Sequence, residues 1–80
     1  MRKILAVKPL DNYLLELKFD DHSTLFFDMR NYLEFPVFRV LKRIENFKAV
    51  VNKGYFVEWE KFDLELSADT LWHEGKSFSA

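Results

Sequence analysis

Tyr13-Leu14-Leu15-Glu16-Leu17-Lys18-Phe19, then Asp20-Asp21-His22-Ser23, then Thr24-Leu25-Phe26-Phe27-Asp28: this run decides the fold class. Tyr13, Leu15, Leu17 and Phe19 fall on one side of an extended chain, and Leu14, Glu16 and Lys18 on the other. That is the period of two of a half-buried strand. Four polar residues follow, and residues 24–28 form the next apolar run, so the stretch predicts a β-hairpin. Upstream, residues 3–8 alternate weakly and predict a first strand, ended by Pro9 and turned by Asp11-Asn12. Three sequential strands make a β-meander.

Downstream the period changes. Val37, Val40, Leu41, Ile44 and Phe47 recur at spacings of three and four, the stripe of an amphipathic helix, with Pro36 suited to its first turn. Arg39, Lys42, Arg43 and Asn46 occupy the other face. An interruption near Glu45-Asn46 would give two short helices in place of one. Residues 49–52 and 55–60 predict a second hairpin around Lys53-Gly54, with Tyr55, Val57 and Trp59 on one face and Phe56, Glu58 and Glu60 on the other. Residues 63–66 predict a short further strand. Ser67 is placed to cap a last helix that begins with Ala68-Asp69-Thr70, packs through Leu71 and Trp72, and ends at Gly75. The expected fold is one two-layer α+β domain over residues 1–80, mostly antiparallel, in the order β-β-β-α-β-β-α.

Composition narrows the function classes. Of the 80 residues 49% are hydrophobic and 18% aromatic, enough for a small core to hold without staples, and the absence of cysteine excludes disulfides and thiolate metal sites. A formal charge of −1 gives no field that would draw the chain to nucleic acid or anionic lipid. Met1-Arg2-Lys3 precedes only four apolar residues, Ile4 to Val7, too few for a secretion signal or a membrane span. The cytoplasm is the default location.

The residues then resemble a family. Val7-Lys8-Pro9-Leu10 with Asp11-Asn12-Tyr13 opens the pattern, Leu15 to Asp21 and Asp28 continue it, and Phe35-Pro36-Val37-Phe38 follows with Leu41 and Phe47. Glu58-Trp59, Asp63-Leu64 and residues 67–71 complete it. Over essentially the whole chain this resembles the short bacterial domain-of-unknown-function family 2442. The resemblance implies a bacterial cytoplasmic protein with the same element order. It also implies a setting in which the gene often stands beside that of a second small protein, so that the chain would be the partner or antitoxin-like member of a toxin–antitoxin pair. Two turns depart from the family pattern: Asp21-His22 stands where Gly usually follows Asp, and Lys61-Phe62 precedes Asp63-Leu64 where Gly or a polar turn residue is usual.

Each residue that could carry chemistry also has a structural account. His22 with Asp20 and Asp21 offers metal-ligand atoms, yet adjacent turn residues rarely converge on one ion, so no metal is expected. His73 suits a helix C-terminus. Asp28 and Asp63 are an acid–base pair only if the sheet brings them together, and no nucleophile accompanies them. Gly54 and Gly75 stand alone, so there is no phosphate loop. Ser23, Ser67, Ser77 and Ser79 lack a nucleophile-elbow context. No cofactor and no enzymatic activity are expected.

Two binding readings remain. The fourteen aromatics exceed what one small core readily encloses, and Tyr13, Phe26, Tyr32, Phe35, Phe56 and Trp72 are the candidates for a surface that meets a protein partner or a second copy. Arg39, Lys42 and Arg43, with Lys48 nearby, form the candidate face for nucleic acid.

Overall fold

The computed structural model describes residues 2–77, so Met1 and Ser79 lie outside the described residues. The meander forms where the alternation places it. β1 (Ile4–Leu10), β2 (Leu14–Phe19) and β3 (Thr24–Asp28) pair antiparallel in the order β1-β2-β3. Leu17 stands between Val7 and Leu25, and Leu15, Leu17 and Phe19 are fully buried. Each such side chain contributes about 1.5–3 kcal/mol by leaving water.

Pro9 does not end the first strand. β1 continues through it to Leu10, because a proline is tolerated on an outer strand, where no ladder bond is asked of its nitrogen. The register slips by one residue between Ile4 and Ala6, so Leu5 is a bulge residue and lies half exposed. The expected Asp11-Asn12 turn is present. It takes Asn12 and Tyr13 into left-handed conformations, at φ +63° and +61°, so β2 begins one residue after Tyr13.

The segment after β3 departs most from expectation. Residues Met29–Glu34 and Pro36–Lys42 wind as 3₁₀ helices, and only α1 (Ile44–Phe47) is an α-helical turn, set off by the extended Arg43. The interruption thus falls at Arg43 and not near Glu45-Asn46. A 3₁₀ helix repeats every three residues, so its side chains stand in three straight rows. Phe38 and Leu41 take the inner row. Val37, assigned to the core by the 3.6 period, is turned out to 64% exposure, and Ile44, beyond the break, to 40%.

Side-chain donors replace the missing helical bonds. Tyr13 Oη donates to the Lys42 carbonyl, Asn46 Nδ2 to that of Val40 (3.0 Å), and Trp59 Nε1 to that of Phe47 (2.9 Å).

The second half builds a second sheet. β4 (Val51–Asn52), β5 (Phe56–Trp59) and β6 (Leu64–Ser67) pair antiparallel in that order, and Val57 and Trp59 are fully buried. Tyr55 belongs to the turn and not to the strand, and is half exposed instead of sharing the inner face. The two sheets meet at one clasp. Ile4 N donates to the Gly54 carbonyl (2.6 Å), Asn52 Nδ2 to the Ile4 carbonyl (2.9 Å), and Gly54 N to Asn52 Oδ1 (2.8 Å), with Gly54 at φ +91°. α2 (Ala68–Glu74) starts under the expected cap, Thr70 N donating to Ser67 Oγ. It packs Leu71 into the core and sets the Trp72 ring edge-on to Phe19 at 5.1 Å. At its end Gly75 has no room for a side chain, since a Cβ there would lie 2.5 Å from the Leu71 carbonyl. Lys76 then bridges to Phe26 on the free side of β3.

The result is α+β with two three-stranded antiparallel sheets sharing one core. Its thinnest dimension, 18 Å, suits two layers at about 10 Å spacing. No helix among the described residues is long and apolar enough to cross a membrane.

Candidate functional site

The six aromatics expected as surplus surface divide unevenly. Tyr13, Phe26, Tyr32, Phe56 and Trp72 are half-buried, and only Phe35 is exposed, at 53%. Tyr13 packs edge-on to Phe47 at 5.4 Å, and Arg2 lies over Trp72 at 4.1 Å from the ring centre. Tyr32 is the hub of a ring cluster with Phe27, Phe35 and Phe38, all at 5.3–5.8 Å. Much of the aromatic excess therefore joins the core or its margin.

The exposed apolar surface lies elsewhere in part. Phe35, Val37 and Ile44 are three of the five large hydrophobics left exposed, and all fall within ten residues of chain. The 3.6 period assigns Val37 and Ile44 inward, so spacing alone misses them as surface residues. The readable signal is Pro36 followed by Val37, Phe38 and Val40, aromatic and β-branched residues of weaker α-helix propensity.

The basic candidates sit on this same segment. In the 3₁₀ winding Pro36, Arg39 and Lys42 share one row, and Val37 and Val40 share the row beside it. Lys42 Nζ lies 3.5 Å from Glu34, and Arg43 pairs with Glu45 at 2.9 Å; both pairs are well exposed and therefore weak. A backbone hydrogen bond, with the Arg43 pair second to it, holds the Glu45 carboxyl below its usual range. Arg39 makes only a long contact, 3.4 Å, to the Glu34 carbonyl, and Lys48 has no carboxylate partner among the described residues.

A groove of about 480 Å³ lies on another side, between the Asp11-Asn12 turn, the end of β3 and the end of α2. Four of its polar side chains are engaged in two pairs. Asp28 caps Arg30 N (2.9 Å) and takes a forked bond from the Arg30 guanidinium (2.7–3.1 Å), which holds its carboxyl below the usual range. Tyr32 Oη donates to Glu74 at 2.6 Å, and that bond pushes its hydroxyl up to about 12.

The remaining candidates stay apart. Asp21 accepts from Ser23 N and Oγ, which lowers its carboxyl, and the turn sets His22 at φ +70°. Asp63 is the left-handed residue that closes the Glu60–Phe62 turn, while Asp28 is committed to Arg30; the two carboxylates share no partner. His73 lies in the last turn of α2, as expected. No three His, Cys, Asp or Glu side chains are grouped for a metal ion among the described residues.

The molecule is thus a small α+β domain of two antiparallel sheets whose marked surface is a mixed apolar and basic segment. Residues 4–77 match the model of the family described as "Protein of unknown function (DUF2442)", and the chain belongs to that family. Neither the curated proteins nor the solved structures gave a match.

Proposed function

We propose that the protein is a non-enzymatic interaction module that engages a partner protein through the outer face of residues 35–44. One observation carries the reading: Phe35, Val37 and Ile44 remain exposed together on a segment whose inner residues, Phe38 and Leu41, hold it against the core. Apolar side chains that a fold keeps in water at one place mark an interaction site more often than a solvated loop. The pairing of Asp28 with Arg30 and of Glu74 with Tyr32 in the groove supports binding ahead of turnover.

The nucleic-acid reading rests on the Arg39 and Lys42 row. Glu34 and Glu45, interleaved with it, would repel phosphates, and the chain carries a net charge of −1.

The test is capture of the adjacent gene's product by the tagged chain. Val37→Asp with Ile44→Asp should reduce capture at least about tenfold, as loss of apolar anchors at an interface does, with an unchanged melting temperature. Capture undiminished by the pair of substitutions would refute the reading.

A further inference from the structure

The outer face of residues 35–48 has two stripes, and their spacing states what fits. A 3₁₀ helix rises about 2 Å per residue, so residues three apart stand about 6 Å apart along its axis. Val37, exposed, and Val40, half-buried with part of its side chain against the core, form one stripe at that interval, and Arg39 and Lys42 form the stripe beside it. An α-helix rises about 1.5 Å per residue, so its own residues four apart also stand about 6 Å apart. Two neighbouring stripes on an α-helix therefore match both rows in step. An extended strand does not, because consecutive side chains point to opposite faces.

Charge decides the second stripe's chemistry. Residues 34–48 hold four cations, Arg39, Lys42, Arg43 and Lys48, against Glu34 and Glu45, a balance of +2 in a chain whose total is −1. The remainder of the chain therefore carries −3. Arg39 and Lys48 have no carboxylate partner among the described residues, and the Lys42–Glu34 and Arg43–Glu45 pairs are exposed enough to exchange for carboxylates of a partner.

We propose that the occupant of this face is a short acidic amphipathic α-helix of a partner protein, its apolar stripe on Val37, Ile44 and the uncovered part of Val40 and its carboxylates over Arg39 and Lys42. The proposal rests on residues 35–44 being the interface and adds the sign, the secondary structure and the register of what binds there. The 3₁₀ helix Pro36–Lys42 is about 14 Å long, so about ten residues of the partner, close to three turns, cover it.

The experiment uses three fluorescein-labelled 16-residue peptides and the full chain, read by anisotropy. One peptide carries Leu at i, i+4, i+7 and i+11 with Glu at the flanking positions; the second has Lys for every Glu; the third scrambles the first. The first should bind, and about five times more weakly when NaCl rises from 50 to 300 mM, since exposed charge pairs are screened. The second and third should not bind. Arg39→Glu with Lys42→Glu should reverse the preference, so that the Lys peptide binds and the Glu peptide does not. Val37→Asp should abolish binding of either.

Equal binding of the Glu and Lys peptides, binding of the scrambled peptide, or binding of none would overturn the proposal. So would tighter binding of a mixed-sequence single-stranded oligonucleotide that is lost in the Arg39→Glu, Lys42→Glu chain. The two readings fail separately. Partner capture that survives the charge reversal but not Val37→Asp discards the acidic helix and keeps the interface. Capture that survives Val37→Asp with Ile44→Asp discards the interface itself.

Discussion

The meander, residues 4–28, and the segment that wraps it, residues 29–48, are built from similar apolar content and use it differently. In the meander each strand bonds its neighbour along its length, and in the central strand β2 alternation decides which side chains are buried: Leu15, Leu17 and Phe19 reach the core with no remainder. In the wrap the backbone has no sheet partner and too little regular helix to satisfy itself. Its carbonyls at Val40, Lys42 and Phe47 are met by side chains of Asn46, Tyr13 and Trp59 instead. A chain fixed by a few pins of this kind is free to leave Val37 and Ile44 in water. The difference separates a region that specifies the fold from one that has surface to spare for recognition.

The largest effect that tests this separation is on stability. Leu17→Ala removes a side chain with no exposed surface between β1 and β3 and should cost about 3 kcal/mol, within the roughly 2–5 kcal/mol typical of such cavities. Val37→Ala, in the wrap, should change stability by less than about 0.5 kcal/mol, the range of exposed substitutions. Urea titration of both variants measures the contrast. Comparable losses would show that the wrap is packed as tightly as the meander.

A smaller effect sharpens the account of how the wrap is held. Tyr32 Oη donates to Glu74, tying the 3₁₀ turn Met29–Glu34 to the end of α2, and Tyr32→Phe removes that bond at a cost of about 1 kcal/mol. The bond raises the folded hydroxyl from its ordinary 10 to about 12. A group whose folded value is raised contributes fully below its unfolded value, so the contribution is present below pH 10 and disappears as pH climbs from 10 to about 12. Denaturation of the two chains at about pH 8 and about pH 11.5 should show the gap narrowing. A gap that is constant, or absent at the lower pH, would remove Tyr32 from the pins.

The same contrast explains which parts of the fold are legible in the sequence. β3 runs from Thr24 to Asp28 as the apolar run after the polar turn places it, and Ser67 caps α2 as its side chain suggests, because both follow from residues adjacent in sequence. The clasp of Asn52 on Ile4 joins residues 48 apart, and no local pattern announces it. The winding of residues 36–42 depends on Tyr13 and Asn46 meeting carbonyls that an α-helix would have used itself. The 3.6 period therefore misplaces Val37 and Ile44, the residues that matter most for the proposed interface. Of the named aromatics Phe35 stands out in solvent although it touches Tyr32, whereas Tyr13, Tyr32 and Trp72 lie against the buried rings of Phe47, Phe27 and Phe19, which spacing alone does not reveal.

The smallest predicted effect lies in the turn between β2 and β3. The β2–β3 turn places His22 at φ +70°, in the left-handed region that favours glycine. A side chain there is strained by its Cβ, and Asp21 holds the turn through Ser23 N and Oγ without needing anything from the imidazole. His22→Gly relieves the strain but loosens the unfolded chain, and these effects oppose each other. The strain outweighs the added chain entropy at a left-handed residue whose side chain holds nothing in place, so the variant should be more stable by about 0.5 kcal/mol. His22→Ala keeps the Cβ and gains nothing in return, so it should be no more stable than the parent. A destabilised His22→Gly chain would mean that the imidazole contributes to the turn and offsets the strain of its own backbone.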